Sequence, residues 1–255
     1  MTQPLGVRDR LIVALDQPDL PRALAHVDRI GESVLWYKVG LQLFAAAGRD
    51  AIRAMADRGK KIFLDLKLHD IPATVEKAVL ALEGLPVSLL TIHAAGGPEM
   101  IAAAARAARA IGPKSGSGTG GSAPRILAVT MLTSLDGTEI PSLWNPGTTL
   151  EEKVLGLAHM ARESGADGVV ASPQELAALR GALPSPFLIV TPGIRGPHDA
   201  SHDQKRTLSL PEAFARGADF VVVGRPILEA SDPQGAVAAF EASVAALASS
   251  ERTNS

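Results

Sequence analysis

A chain of 255 residues, 46% hydrophobic and 20% charged, is long enough to bury the core of one large domain. Its formal net charge of -2 offers no basic surface for a nucleic acid or an anionic membrane, so a small molecule is the expected partner. The absence of cysteine removes disulfide frameworks, thiolate nucleophiles and cysteine metal sites together, and accords with a reducing cytoplasm.

The N-terminal stretch MTQPLGVRDRLIVALD has no apolar segment of signal-peptide length, because Asp16 interrupts its first apolar run. No other stretch reaches the roughly 18 apolar residues of a membrane span, so an unexported, cytoplasmic protein is expected. From there short β-rich runs alternate with Ala-rich helical stretches. The predicted strands are residues 10 to 16, 34 to 40, 61 to 68, 89 to 95, 126 to 132, 168 to 173, 187 to 193 and 220 to 226. Between them lie segments such as TLEEKVLGLAHMARESG (149 to 165), apolar at three- and four-residue spacing and closed by glycine. Gly31, Gly59, Gly112, Gly165 and Gly217 are placed just past five helix ends.

Strands alternating with helices call for a parallel sheet covered by helices. Eight consecutive units fit a single closed (β/α)8 TIM barrel over 1 to 255 better than an open doubly wound sheet. Catalytic groups of such barrels come from the C-terminal ends of strands, where Asp16, Lys38, Asp65, Lys67, His93, Thr133, Arg195 and Arg225 fall. Two segments depart from the alternation. GPKSGSGTGGSAP (112 to 124) reads as a flexible Gly/Ser-rich insertion; no strand leads into it and no helix follows, so it lacks the setting of a phosphate-binding glycine loop. Residues 193 to 210 form a long polar loop after the seventh strand, expected to be a mobile lid.

Within KIFLDLKLHDIP, alternation directs Phe63, Asp65, Lys67 and His69 one way and Leu64, Leu66 and Leu68 the other. The leucines pack under the helices, which leaves Asp65 and Lys67 in the barrel mouth with Asp70 following where the strand ends. Charges at that depth must satisfy one another. At roughly 4 Å and an effective dielectric near 20, each carboxylate stabilises the ammonium by about 4 kcal/mol before desolvation is counted. Lys67 is therefore read as a protonated acid. One ion pair at a strand end is as readily structural as catalytic. Asp16 and Lys38 on the two preceding strands shift the balance, because the whole set exceeds what stability requires.

The eighth strand ends in FVVVGRPI, where Gly224 permits close backbone approach and Arg225 supplies a planar donor fork. The seventh ends in TPGIR, bringing Gly193 and Arg195 beside it, and Gln204 on the long loop adds an amide donor. Loops after strands seven and eight are the recurrent phosphate site of this fold. The alternative makes Arg225 a surface arginine and Gly224 a turn residue. A phosphorylated small substrate would bridge the two sides of the mouth.

The segment FLDLKLHDIPATV (63 to 75), with VALD (13 to 16), KVG (38 to 40), HAAGG (93 to 97), AVTMLTS (128 to 134), VTPGIR (190 to 195), HDQKR (202 to 206) and VVVGRPI (221 to 227), resembles bacterial-type orotidine 5'-phosphate decarboxylase in order. Asp-x-Lys-x-x-Asp alone is shared with sister decarboxylases and aldolases; the ordered set is specific. The likeness covers almost the whole chain and is weakest at 112 to 124 and after about residue 245. The resemblance implies decarboxylation of orotidine 5'-monophosphate to uridine 5'-monophosphate without cofactor or metal. It implies that Asp16 binds the ribose hydroxyls, Lys38 links ribose to the charged network, Asp65 stands against the substrate carboxylate and Lys67 protonates the pyrimidine carbon. Asp70 and Thr74 are implied to reach the partner's site in a homodimer. Thr133 would lie by the pyrimidine, while Arg195, Gln204, Gly224 and Arg225 hold the phosphate and the lid.

The rival enzyme reading is a magnesium-dependent sugar-phosphate decarboxylase or aldolase of the same suprafamily, which the family pattern gives an acidic residue where Lys38 stands. A cation there repels a metal. A barrel that binds phosphate without catalysis is the rival of another class, and Lys67 argues against it. His93 and His69 read as core or supporting histidines.

Overall fold

The computed structural model describes residues 6–112, 123–135, 147–195 and 208–253. Eight parallel strands close on themselves: β1 (Leu11–Ala14), β2 (Trp36–Gly40), β3 (Lys61–Leu68), β4 (Val87–His93), β5 (Arg125–Val129), β6 (Gly168–Val170), β7 (Leu188–Thr191) and β8 (Phe220–Val223). Each neighbours its sequence neighbours, and β1 pairs with β8 to shut the ring, Leu11 against Val221 and Val13 against Val223. Helices follow the strands, which makes the architecture the expected (β/α)8 barrel.

Both faces of the strands are buried, which is why they read as continuous apolar runs. Ile12, Phe63, Leu89, Leu127 and Val190 fill the interior, and Trp36 meets Phe220 edge-on at 5.0 Å. Leu11, Val13, Ile62, Leu64, Ile126 and Val221 belong to a second cluster between strands and helices. Helix starts are marked as the sequence leads one to expect: Asp19 accepts from the Arg22 N–H at 2.9 Å, and Thr149 and Glu152 form a reciprocal capping box. Gly31, Gly59, Gly165 and Gly217 follow helix ends with positive φ. Gly112 also follows a helix end but is not among the positive-φ glycines.

Several strand ends differ from expectation: the fifth stops at Val129 and the eighth at Val223, each three residues short of its predicted end. The sixth strand stops at Val170, three residues short of its predicted end, because Ser172 caps a 3-10 turn that Pro173 opens. The third strand keeps its predicted bounds, but its register against β4 is broken. Leu64 pairs with Leu90 and Leu68 with Ile92, so four steps on β3 match two on β4. The bulge falls on Asp65 to Lys67, and Lys67 is the one described non-glycine residue with positive φ, at 49°. Most of the Gly/Ser-rich stretch and of the long loop after β7 lies outside the described residues.

Closure also depends on a close approach between β6 and β7. A Cβ added at Gly168 would fall on the Leu188 carbonyl oxygen and lie 2.5 Å from the Leu188 Cβ. Because β-sheet backbone is what obstructs it, Gly168→Ala should destabilise by about 1–3 kcal/mol, read by circular dichroism as a melting point lower by roughly 2–12 °C. Gly156→Ala, with nothing within 4 Å on an exposed helix face, is the control and should be neutral or slightly stabilising.

Candidate active site

The C-terminal ends of the strands surround a cavity of about 740 Å³. On one side it is lined by Asp16, from the loop after β1, Lys38, from β2, and Asp65 and Lys67, from β3. Gly193, after β7, and Gly224 and Arg225, after β8, line it too; β8 adjoins β1, so Gly224 borders the strand that leads to Asp16, while β7 lies farther round the ring. Ring order puts β3 and β7 four strands apart, so a ligand touching both sides must span the mouth.

The charged side is one connected network. Lys38 Nζ lies 2.8 Å from Asp16 Oδ1 and 3.8 Å from Asp65 Oδ2. Lys67 Nζ sits between both oxygens of Asp65, at 2.9 and 2.8 Å. The Asp65 and Lys38 side chains are each 11% exposed and Lys67 31%, whereas Asp16 at 56% opens to solvent. Two carboxylates and two ammoniums alternate, so the burial of charge is answered locally. Gly40 makes room for this: a Cβ there would lie 2.8 Å from both Asp16 Oδ1 and Lys38 Nζ.

Asp65 and Lys67 share the cavity as alternation along β3 directs, and the bulge leaves that order intact. Phe63 still points into the barrel interior, and Leu66 and Leu68 still pack outward. His69 does not join the cavity lining; it stacks on His93 with centroids 5.3 Å apart. Thr133 lies beyond the end of β5 and lines the cavity. Asp70 and Thr74 are exposed and do not line it; the Asp70 carboxylate accepts the Ile71 N–H at 2.7 Å. Ile71, which follows Asp70, is 67% exposed, and Leu41, which opens the helix after β2, is 61% exposed. The Arg195 backbone pairs with Ser209 in a short two-stranded ribbon, Ile194–Arg195 with Leu208–Ser209, and Gln204 lies outside the described residues.

A family model described as "Orotidine 5'-phosphate decarboxylase / HUMPS family" matches residues 9–240. The chain belongs to that family. The span of the match to the orotidine 5'-phosphate decarboxylase / HUMPS family includes every candidate residue, from Asp16 to Arg225. An orotidine 5'-phosphate decarboxylase of Moorella thermoacetica is 45% identical over 240 residues, 94% of this chain and 94% of that protein. One from Rhodopseudomonas palustris is also 45% identical, over 94% of this chain and 95% of its own. The crystal structure of orotidine 5'-phosphate decarboxylase from Lactobacillus acidophilus superposes with a TM-score of 0.80 at 39% identity, covering 92% of this chain and 99% of that one.

Two members of the charged site escape sequence reasoning. Thr91 donates to Asp65 Oδ1 at 2.9 Å, and Gly40 gives the Lys38–Asp16 pair its space. Thr91 reads in LLTIH as a β-branched core residue; for Gly40 the available signal is a glycine closing an otherwise apolar strand.

His93 ends β4 beside this site. Burial lowers its pKa from the ordinary 6.5, with the neighbouring His69 and Lys67 adding to the effect. A base whose folded pKa is depressed favours the fold above its unfolded value and loses that contribution as pH falls through the lowered one. The melting point should therefore fall as pH drops below about 6.5, and His93→Gln should reduce the fall. An unchanged pH dependence in that variant, followed by circular dichroism, would remove His93 as a cause.

Proposed function

We propose that this carboxy-lyase is an orotidine 5'-phosphate decarboxylase of pyrimidine biosynthesis, working in the cytoplasm as a homodimer of single-domain barrels. It converts orotidine 5'-monophosphate to uridine 5'-monophosphate and carbon dioxide with no metal or organic cofactor. The observation that carries this reading is the alternating run Asp16, Lys38, Asp65, Lys67, joined by contacts of 2.8 to 3.8 Å and sharing one cavity with Gly224 and Arg225.

Arg225, Arg195, Gln204 and the Gly224 backbone hold the phosphate, and Thr133 lies by the pyrimidine. Asp16 takes the ribose hydroxyls, and Lys38 ties them to the charged network. The substrate carboxylate stands near Asp65. The bond from the ring carbon to the carboxylate breaks, carbon dioxide leaves, and the electron pair stays on the carbon. The Lys67 ammonium, which stabilises that developing charge, then gives the carbon a proton. Preorganised charge is the main catalytic device, since the carbanion has little resonance relief. Phosphate contacts far from the reacting carbon contribute by being used for closure and orientation.

Asp70 and Thr74 serve the other subunit. Both are exposed and outside their own cavity, and Ile71, next to Asp70 in the chain, is apolar yet exposed, which favours a covered surface. No described helix is long and apolar enough to cross a bilayer. A magnesium-dependent sister reaction is disfavoured by Lys38, whose ammonium already stands between Asp16 and Asp65 where a divalent ion would take their oxygens.

The test is to incubate purified protein with orotidine 5'-monophosphate and follow ultraviolet absorbance with and without EDTA. Conversion insensitive to EDTA is expected. Activity lost with EDTA and restored by magnesium would favour the metal-dependent reading, and nucleotide binding without turnover the non-catalytic one. Lys67→Ala should still bind uridine 5'-monophosphate while turnover falls at least about 1,000-fold.

The shared site is tested by mixing. Asp70→Ala and Lys67→Ala subunits, each inactive alone, should regain activity together because each heterodimer holds one intact site. No recovery on mixing would count against Asp70 acting across the dimer.

A further inference from the structure

Thr91, in the middle of β4, is wholly shielded from solvent, and its hydroxyl is engaged twice. Oγ1 accepts the backbone N–H of Lys67 at 2.8 Å and donates to Asp65 Oδ1 at 2.9 Å. A hydroxyl has one proton, so accepting the amide leaves that proton for the carboxylate, and the two contacts fix one another's direction. One side chain thus holds both the backbone from which Lys67 projects and the carboxylate on which the Lys67 ammonium rests.

The location gives this weight. The ladder between β3 and β4 is broken between Leu64↔Leu90 and Leu68↔Ile92, and Lys67 sits in the break with φ of 49°. The amide of Lys67 therefore takes a side-chain acceptor from β4 where a regular ladder would offer a carbonyl. A non-glycine residue persists in the left-handed region only when its surroundings hold it there. Thr91 is a large part of that hold. It does not line the cavity, so it has no contact with substrate.

We infer that Thr91 is a positioning residue for the reaction: its hydroxyl holds the Asp65 carboxylate and the Lys67 backbone in the arrangement from which the ammonium delivers its proton. The inference rests on the decarboxylase reading. Because Thr91 acts on the proton donor and not on the ligand, its loss lowers turnover and leaves affinity nearly unchanged.

Thr91→Val keeps the shape and removes both contacts, while Thr91→Ser keeps the hydroxyl and removes a methyl. With full-length protein assayed well below each melting point, Thr91→Val should lose about 10- to 100-fold in kcat, the size expected for a hydrogen bond to a charged group. Its KM and its Kd for uridine 5'-monophosphate should stay within about threefold, and Thr91→Ser should recover kcat to within about threefold of wild type. A Thr91→Val kcat within threefold of wild type overturns the inference. So does a Thr91→Ser loss as large as that of Thr91→Val, or a loss of affinity that matches the loss of kcat. Should Thr91→Val not fold, Thr91→Ala must show the same selective fall in kcat, and near-normal kcat in it overturns the inference. A wild type that leaves orotidine 5'-monophosphate unchanged sinks the decarboxylase reading as well; an active wild type with an unimpaired Thr91→Val sinks only this one.

Discussion

Asp65 is a carboxylate almost withdrawn from water, and such a group stands in a folded protein only when its charge and its lone pairs are met within bonding distance. It is met from three strands at once: by Lys67 on its own strand, by Lys38 on β2 and by Thr91 on β4. Those three strands must therefore be neighbours in the ring, with β3 bulged so that Thr91 on β4 comes level with Asp65 and Lys67. A closed barrel provides that adjacency and also brings β8 back beside β1, so that Gly224 and Arg225 share the opening with the charged network. The charged network and the Gly224–Arg225 rim are both held by strands, so the distance between them is set by the barrel and not by loops. A rigid span of this kind suits a ligand with a fixed separation between its anionic tail and its reacting ring.

Much of this was legible in residue order. The third strand has its predicted bounds, Lys61–Leu68, because an apolar run follows the turn at Gly59 and is buried on both faces. Asp16, Lys38, Asp65 and Lys67 were expected at one mouth because each breaks an apolar run near its end, and the four do line one cavity. The end of the sixth strand was missed because Ala171 prolongs the apolar pattern. The local competition there, Ser172 capping a turn that Pro173 begins, overrides it.

The register break between β3 and β4 was not legible, because alternation along one strand carries no information about the step of its neighbour. Without the break, Thr91 is only a β-branched residue in an apolar strand, and nothing marks its hydroxyl as bonded to Asp65 and to the amide of Lys67. His69 shows the same limit. Alternation aligned it with Asp65 and Lys67, whereas in the fold it stacks on His93 outside the cavity lining.

The backbone at position 67 has a consequence for how this protein can change. Its φ of 49° is the conformation glycine adopts without penalty, and any other residue gives up roughly 1–2 kcal/mol of fold stability to sit there. The residue best for the chain and the lysine that the proposed proton transfer needs are therefore different at this one place. Selection for robustness alone would drift toward glycine; under the proposed chemistry, selection for turnover holds a lysine. On that reading Lys67 is a point where the fold is kept below its own optimum.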